Sequence, residues 1–92
     1  MFIIRKKSVL PNLKEQPKQP IPTILYGYGG FGNPEIPAFS MNNLIFMNNL
    51  GGMYVVANIR GGGEFGKYWH ESAVQEHRQK SFDDFIGAAE FL

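Results

Sequence analysis

The sequence has no cysteine among its 92 residues, so it can form neither disulfide bonds nor thiolate metal sites. It also lacks an excess of charge of one sign, because nine basic residues oppose eight acidic ones and the formal net charge is +1. An electric field of the kind that attracts nucleic acid is therefore not expected. These two absences predict a cytoplasmic protein of a reducing compartment that binds no nucleic acid.

Long apolar runs are also missing, and none approaches the ~20 residues with which a helix spans a bilayer. The short apolar start at residues 1–4 is followed by its basic residues rather than preceded by them, which is the reverse of a secretory signal. We therefore expect no membrane association. A domain of this length buries only roughly 60% of the surface of its unfolded chain, which predicts marginal stability.

Two compact apolar runs, residues 23–26 and 53–59, predict β-strands that are covered on both faces. Between them, Ser40 can cap a helix that extends to Leu50, and Gly51 can adopt the left-handed conformation that ends it. A helix between two such strands is typical of a parallel βαβ unit. The predicted fold class is α/β.

The flanking segments are less regular. Residues 2–4 form a short β-rich run, and four prolines between about residues 11 and 22 predict a proline-rich connection. Residues 67–80 suit either an irregular turn or a short surface helix. Ser81 can cap a last helix over residues 81–92, with Asp84 three positions on as an acidic variant of the capping box.

Two glycine-rich loops follow the predicted strands and match the spacing of a dinucleotide-binding fingerprint. The matching positions are Gly27, Gly29 and Gly32 in one loop and Gly61, Gly63 and Gly66 in the other. That fingerprint needs a helix that opens directly on the glycines, whereas Pro34 lies in the first loop and Glu64 interrupts the second. Nucleotide binding is therefore disfavoured, and we expect no cofactor.

Metal and nucleophile motifs are not recognisable either. His70 and His77 lie seven positions apart, which does not match the i, i+4 histidine pair of a zinc helix, so no metal site is predicted. None of the serines has the glycine-flanked turn that exposes a nucleophile between strand and helix. The residues alone thus indicate no complete catalytic apparatus.

Tyr28 is the candidate that remains. Glycines on both sides leave its phenol unobstructed at the end of a predicted strand, where open α/β sheets place their binding crevice. A phenol there can donate a hydrogen bond to a developing oxyanion. The alternative is that Tyr26 and Tyr28 simply pack, and composition and spacing leave both possibilities open.

Three stretches, in the same order, closely resemble the prolyl oligopeptidase family: YGYGGF at 26–31, ANIRGGGEFG at 57–66 followed by Trp69-His70, and FDDF at 82–85 with AAEFL at 88–92. The resemblance implies that residues 1–92 form the N-terminal part of an α/β-hydrolase catalytic domain, with mainly parallel strands and crossover helices. Members of the family cleave short peptides after proline with a Ser, Asp and His triad. The β-propeller and the triad have no counterpart here, so the rest of the catalytic domain and a propeller are expected as partners in a longer protein.

The resemblance also implies roles for two residues. Tyr28 matches the tyrosine whose hydroxyl forms half of the family's oxyanion hole, and Phe31 matches an aromatic residue that lines the pocket for the substrate proline. Arg60 and Glu64 receive no chemical role. The loop differs from that of the related subfamily that cuts after basic residues, which favours a proline-specific peptidase. The alternative is a catalytically inactive, truncated relative that acts as a binding module.

Overall fold

The structure is a computed structural model that describes residues 1–12 and 14–92. Within these residues the chain forms a three-stranded sheet and three α-helices. None of these helices is long and apolar enough to cross a membrane. The elements, in chain order, are β1 (Phe2–Ile4), β2 (Thr23–Gly27), α1 (Met41–Asn49), β3 (Met53–Ala57), α2 (Lys67–Glu71), a single 3-10 turn (Gln75–His77) and α3 (Gln79–Phe91).

The sheet is mixed and has the strand order β1-β3-β2. β2 and β3 are parallel, with Thr23 opposite Met53, which confirms the predicted βαβ unit. β1 and β3 are antiparallel, with Phe2 opposite Val56, so the expectation of a mainly parallel sheet is not met within this chain. The difference follows from the connections. Helix α1 carries the chain back to the start of a parallel strand, whereas the described part of the proline-rich connection has no helix and returns the chain at the same end of the sheet.

The core lies along β3, the central strand. Val55 and Val56 point to opposite faces of the sheet, and both are buried, as predicted for a strand covered on both sides. β2 differs from the prediction, because Ile24 is 40% exposed and Tyr26 is 41% exposed. The reason is its position: β2 is an edge strand among the described residues, so one side of it has no neighbour.

Helix α1 begins and ends where the sequence predicts. The Ser40 hydroxyl accepts a hydrogen bond from the Asn43 backbone N–H, and Gly51 has a φ of +64°. No residue of α1 is buried, so the helix packs against the rest of the protein through one face only. Phe46 makes part of this contact: its ring occupies the space where a Cβ on Gly52 would lie.

The predicted start of the last helix, α3, is wrong. It begins at Gln79 rather than after Ser81, and Ser81 is fully buried within it. Its hydroxyl donates a hydrogen bond to the Arg60 carbonyl instead of capping the helix, and Asp84 binds Arg60 instead of completing a capping box. Both side chains have partners from a distant loop, which a local pattern does not reveal. The segment before α3, left open by the sequence, contains α2 and the 3-10 turn.

We expect that residues 1–92 expressed alone do not form a stable monomer. Among the residues that the structure describes, few large apolar side chains are buried and β2 has an open edge, whereas Phe39 is 80% exposed and Phe91 is 70% exposed. Exposed apolar surface and free strand edges recruit other chains. Near-UV circular dichroism, thermal unfolding and sedimentation of the purified chain test this expectation. A cooperative unfolding transition from a monomeric sample would contradict it.

Candidate active site

Two loops leave the same edge of the sheet because β2 and β3 are parallel. We call residues 28–34, which follow β2, the tyrosine loop and residues 60–66, which follow β3, the glycine loop. The Gly32 N–H donates a hydrogen bond to the Gly61 carbonyl across 3.1 Å and joins the two loops. The loops therefore form one unit at the carboxyl ends of the strands, where sheets of this kind place their binding sites.

The glycines of both loops permit this contact. A Cβ on Gly61 would collide with the Gly29 carbonyl, and a Cβ on Gly63 would collide with the Gly32 carbonyl. Gly61 also has a φ of +104°, which residues with a side chain rarely adopt. Three of the six glycines with fingerprint-like spacing, Gly29, Gly61 and Gly63, thus lie where the backbones of the two loops approach closely.

Arg60 attaches the glycine loop to α3 through Asp84. Its backbone N–H and its Nε both donate to Asp84 Oδ2, at 2.9 and 2.8 Å, and its Nη2 donates to Oδ1 at 2.8 Å. Burial alone would raise the pKa of Asp84, but the hydrogen bonds and the positive charge of Arg60 outweigh it and hold that pKa below its ordinary value. The hydrogen bond to Asp84 in turn raises the pKa of Arg60. The pair is ionised at neutral pH and anchors the loop.

Other polar side chains support the same loops. Glu64 Oε1 accepts a hydrogen bond from the Glu35 N–H at 3.1 Å, and His70 Nδ1 lies 2.6 Å from the Gly61 carbonyl oxygen. Thus Glu64 and His70 contact backbone rather than a reactive group. His77 does not contact these loops in the same way: its Nε2 lies 3.7 Å from Oε1 of the adjacent Glu76. Within the described parts of the chain, no group of three or more His, Asp or Glu side chains could hold a metal ion.

Tyr28 is the first residue after β2 and is 40% exposed. Its ring lies beside Gly30, where a Cβ would be 3.4 Å from ring atom Cε1. Tyr26 is equally exposed, and its pKa is raised, first by the nearby Glu35 carboxylate and then by burial. Neither ring is enclosed in the core, so the phenol of Tyr28 is accessible to a ligand at this edge.

Phe31 is 86% exposed, and its backbone has a φ of +52°. This conformation is uncommon for a residue with a bulky side chain and is held by the turn in which the Asn33 N–H donates to the Gly30 carbonyl. Phe31 borders a cavity of about 370 Å³. The other lining residues include Gly30, Gly61, His70, Gln75 and Arg78. Tyr28 and Phe31, the two predicted site residues, thus lie in one loop, and of the two only Phe31 borders the cavity.

A family model described as the prolyl oligopeptidase family matches residues 37–92. The chain belongs to this family. Over all 92 residues it is 52% identical to the prolyl endopeptidase of Elizabethkingia meningoseptica, of which it covers 12%. Over 71 residues, 77% of the chain, it is 54% identical to the prolyl endopeptidase of Dictyostelium discoideum, of which it covers 9%. The resemblance inferred from the three sequence stretches is thus confirmed.

Solved structures agree with this membership of the prolyl oligopeptidase family. The apo structure of prolyl oligopeptidase B from Galerina marginata superimposes with a TM-score of 0.86 at 42% identity, over 98% of this chain and 12% of that one. The mixed sheet and its helices therefore have the arrangement found in a prolyl oligopeptidase. The chain spans about 12% of the length of such relatives.

The contact between the loops predicts different costs for two alanine substitutions in a full-length protein that contains this segment. Gly61 and Gly66 both have a positive φ, but only at Gly61 does a Cβ meet another backbone; at Gly66 it meets nothing within 4 Å. Gly61→Ala should therefore destabilise by on the order of 1–3 kcal/mol more than Gly66→Ala, because overpacking adds to the backbone strain. Thermal unfolding of the two variants measures the difference, and equal losses would show that the close approach is unimportant.

Proposed function

We propose that this segment supplies the oxyanion donor of a serine peptidase that cleaves short peptides after proline. The observation that carries the proposal is the accessible phenol of Tyr28, which lies at the carboxyl end of β2 in a loop bound to a second loop. Membership of the prolyl oligopeptidase family supports it, because the stretch YGYGGF, in which Tyr28 lies, resembles the stretch that carries the family's oxyanion tyrosine.

The chemistry follows from where charge develops. When a nucleophile attacks a peptide carbonyl, the oxygen gains negative charge, and a hydrogen bond from the Tyr28 hydroxyl becomes stronger in the transition state than with the neutral substrate. Such an interaction lowers the barrier without tightening substrate binding. Tyr28 acts in this step as a hydrogen-bond donor, not as an acid or a base.

Phe31 supplies the second part of the proposal. Its ring is nearly fully exposed at the border of a cavity of about 370 Å³, and the strained turn beneath it holds the ring outward. An aromatic face in this place can pack against the apolar ring of a proline side chain. Phe31 would then contribute to the preference for proline rather than to the rate of bond cleavage.

The segment works, in this proposal, as part of a longer chain. The nucleophile, its base and the second oxyanion donor are supplied by other residues of the catalytic domain, and residues 1–92 alone should not hydrolyse peptides. The open edge of β2 and its exposed Ile24 suit the addition of further elements of that domain. A β-propeller is expected as the other domain of the protein.

Tyr28→Phe in the full-length enzyme should lower kcat for a proline-containing fluorogenic peptide by on the order of 10² to 10³, with KM little changed, because the lost donor acts in the transition state. Tyr26→Phe is the matched control: it removes the same hydroxyl from an equally exposed ring two residues earlier and should leave kcat unaltered. An unchanged kcat for Tyr28→Phe, or an equal loss in both variants, would refute the role of Tyr28.

Phe31→Ala should instead change specificity. Loss of an aromatic pocket wall should reduce the ratio of kcat/KM for cleavage after proline to that for cleavage after alanine by about 10-fold or more. Phe39→Ala is the control, because Phe39 is also strongly exposed but does not border the cavity. If the ratio does not change, or if both variants change it alike, Phe31 is not part of the proline pocket.

A further inference from the structure

Arg78 connects the start of α3 to the tyrosine loop. Its Nη1 donates a hydrogen bond to the carbonyl of Gly29, which directly follows Tyr28. The two residues are 49 positions apart in the sequence, so this contact exists only in the folded chain. A hydrogen bond from a charged donor is about twice as strong as one between neutral groups. Arg78 is therefore a strong restraint on the backbone next to the candidate oxyanion donor.

The surroundings of Arg78 hold its guanidinium group in place. The same Nη1 lies 3.2 Å from the Ser81 hydroxyl, which in turn donates to the Arg60 carbonyl. The guanidinium carbon lies 5.7 Å from the centre of the Phe82 ring, within the range of a cation–π interaction. Because Ser81 is fully buried, this arrangement is anchored in the interior of the protein.

Gly61 leaves the space through which Arg78 reaches the loop, and Gly29 packs closely on Ile59. A Cβ on Gly61 would lie 3.0 Å from Arg78 Nη1, and a Cβ on Gly29 would collide with the Ile59 side chain. Gly29 has a φ of +60°, so its peptide unit is oriented by a conformation that glycine adopts without strain. The hydrogen bond from Arg78 and the packing around Gly29 and Gly61 therefore fix the direction of the Gly29 carbonyl, and they restrain the backbone next to Tyr28.

We propose that Arg78 is a positioning residue for Tyr28: by binding the Gly29 carbonyl, it holds the phenol where the oxyanion develops. The inference rests on the proposed function of Tyr28 and adds to it Arg78, the residue that directly precedes α3. A misplacement of about 1 Å of a catalytic group can cost about 10²-fold in rate. Loss of Arg78 should therefore lower kcat through Tyr28 rather than through substrate binding.

The test uses the full-length enzyme with Arg78→Met, Arg78→Lys, Tyr28→Phe and the double variant Arg78→Met/Tyr28→Phe, assayed with a proline-containing fluorogenic peptide. Arg78→Met should lower kcat by about 10- to 100-fold with KM little changed, whereas Arg78→Lys, which keeps a charged donor, should retain most of the activity. In the Tyr28→Phe background, Arg78→Met should have no further effect on kcat, because the position of the ring no longer matters. Lys67→Met, which removes a positive charge at a strongly exposed site, is the control.

The outcomes separate the two proposals. If Tyr28→Phe leaves kcat unchanged, the proposed function fails whatever Arg78 does. If Tyr28→Phe lowers kcat but Arg78→Met does not, or if the two losses multiply in the double variant, the positioning role is overturned. A higher KM with unchanged kcat in Arg78→Met would also overturn it, since Arg78 would then contact substrate in the neighbouring cavity. Should Arg78→Met fail to fold, Arg78→Gln, which keeps a neutral donor, replaces it in the same cycle with the same criteria.

Discussion

The tyrosine loop and the glycine loop touch backbone to backbone, and the rest of the candidate site depends on this contact. It is possible only because Gly61 and Gly63 have no side chain, since a Cβ on either would collide with the carbonyl of Gly29 or of Gly32. A bulkier residue at either place would separate the loops and remove the hydrogen bond between Gly32 and Gly61. Tyr28 and Phe31 lie in the loop that this contact shapes, so the orientation of both aromatic rings follows from the packing of glycines that carry no chemistry themselves.

Side chains at the start of helix α3 bind the two loops through hydrogen bonds. Ser81 binds the carbonyl of Arg60 and Asp84 binds its N–H and its side chain, so both backbone polar groups of Arg60 are satisfied by one helix. Arg78 adds the carbonyl of Gly29. Arg78 directly precedes α3, and Ser81 and Asp84 follow it at intervals of three positions, which brings neighbouring members close to one face. A polar face toward the loops explains why α3 carries buried or half-buried polar residues near its start, where solvent exposure would be expected.

Exposure differs between the central strand and an edge strand of this segment, which covers only a small part of the relatives that it matches. The chain spans about 12% of relatives that it matches at 52% identity, and it matches a solved prolyl oligopeptidase with a TM-score of 0.86. Its central strand is buried, whereas the edge strand β2, which leads into Tyr28, is about two-fifths exposed at Ile24 and Tyr26. Four of the five residues of the central strand are thus buried, whereas the strand beside the candidate site is largely exposed.

Local patterns in the sequence determined the βαβ unit and the cap of α1 at Ser40. They also determined the family resemblance that directed attention to Tyr28 and Phe31. Strand hydrophobicity, helix caps and family motifs are all short-range signals, so each can be recognised from neighbouring residues. Only the tertiary structure decided the roles of Arg60, Arg78 and Asp84. Their hydrogen bonds join residues 24 and 49 positions apart, so no nearby pattern records them. Ser81 and Asp84 show the reason. Each could cap a helix terminus locally, but because the loops pack against α3, both side chains instead bind the partly buried backbone of Arg60.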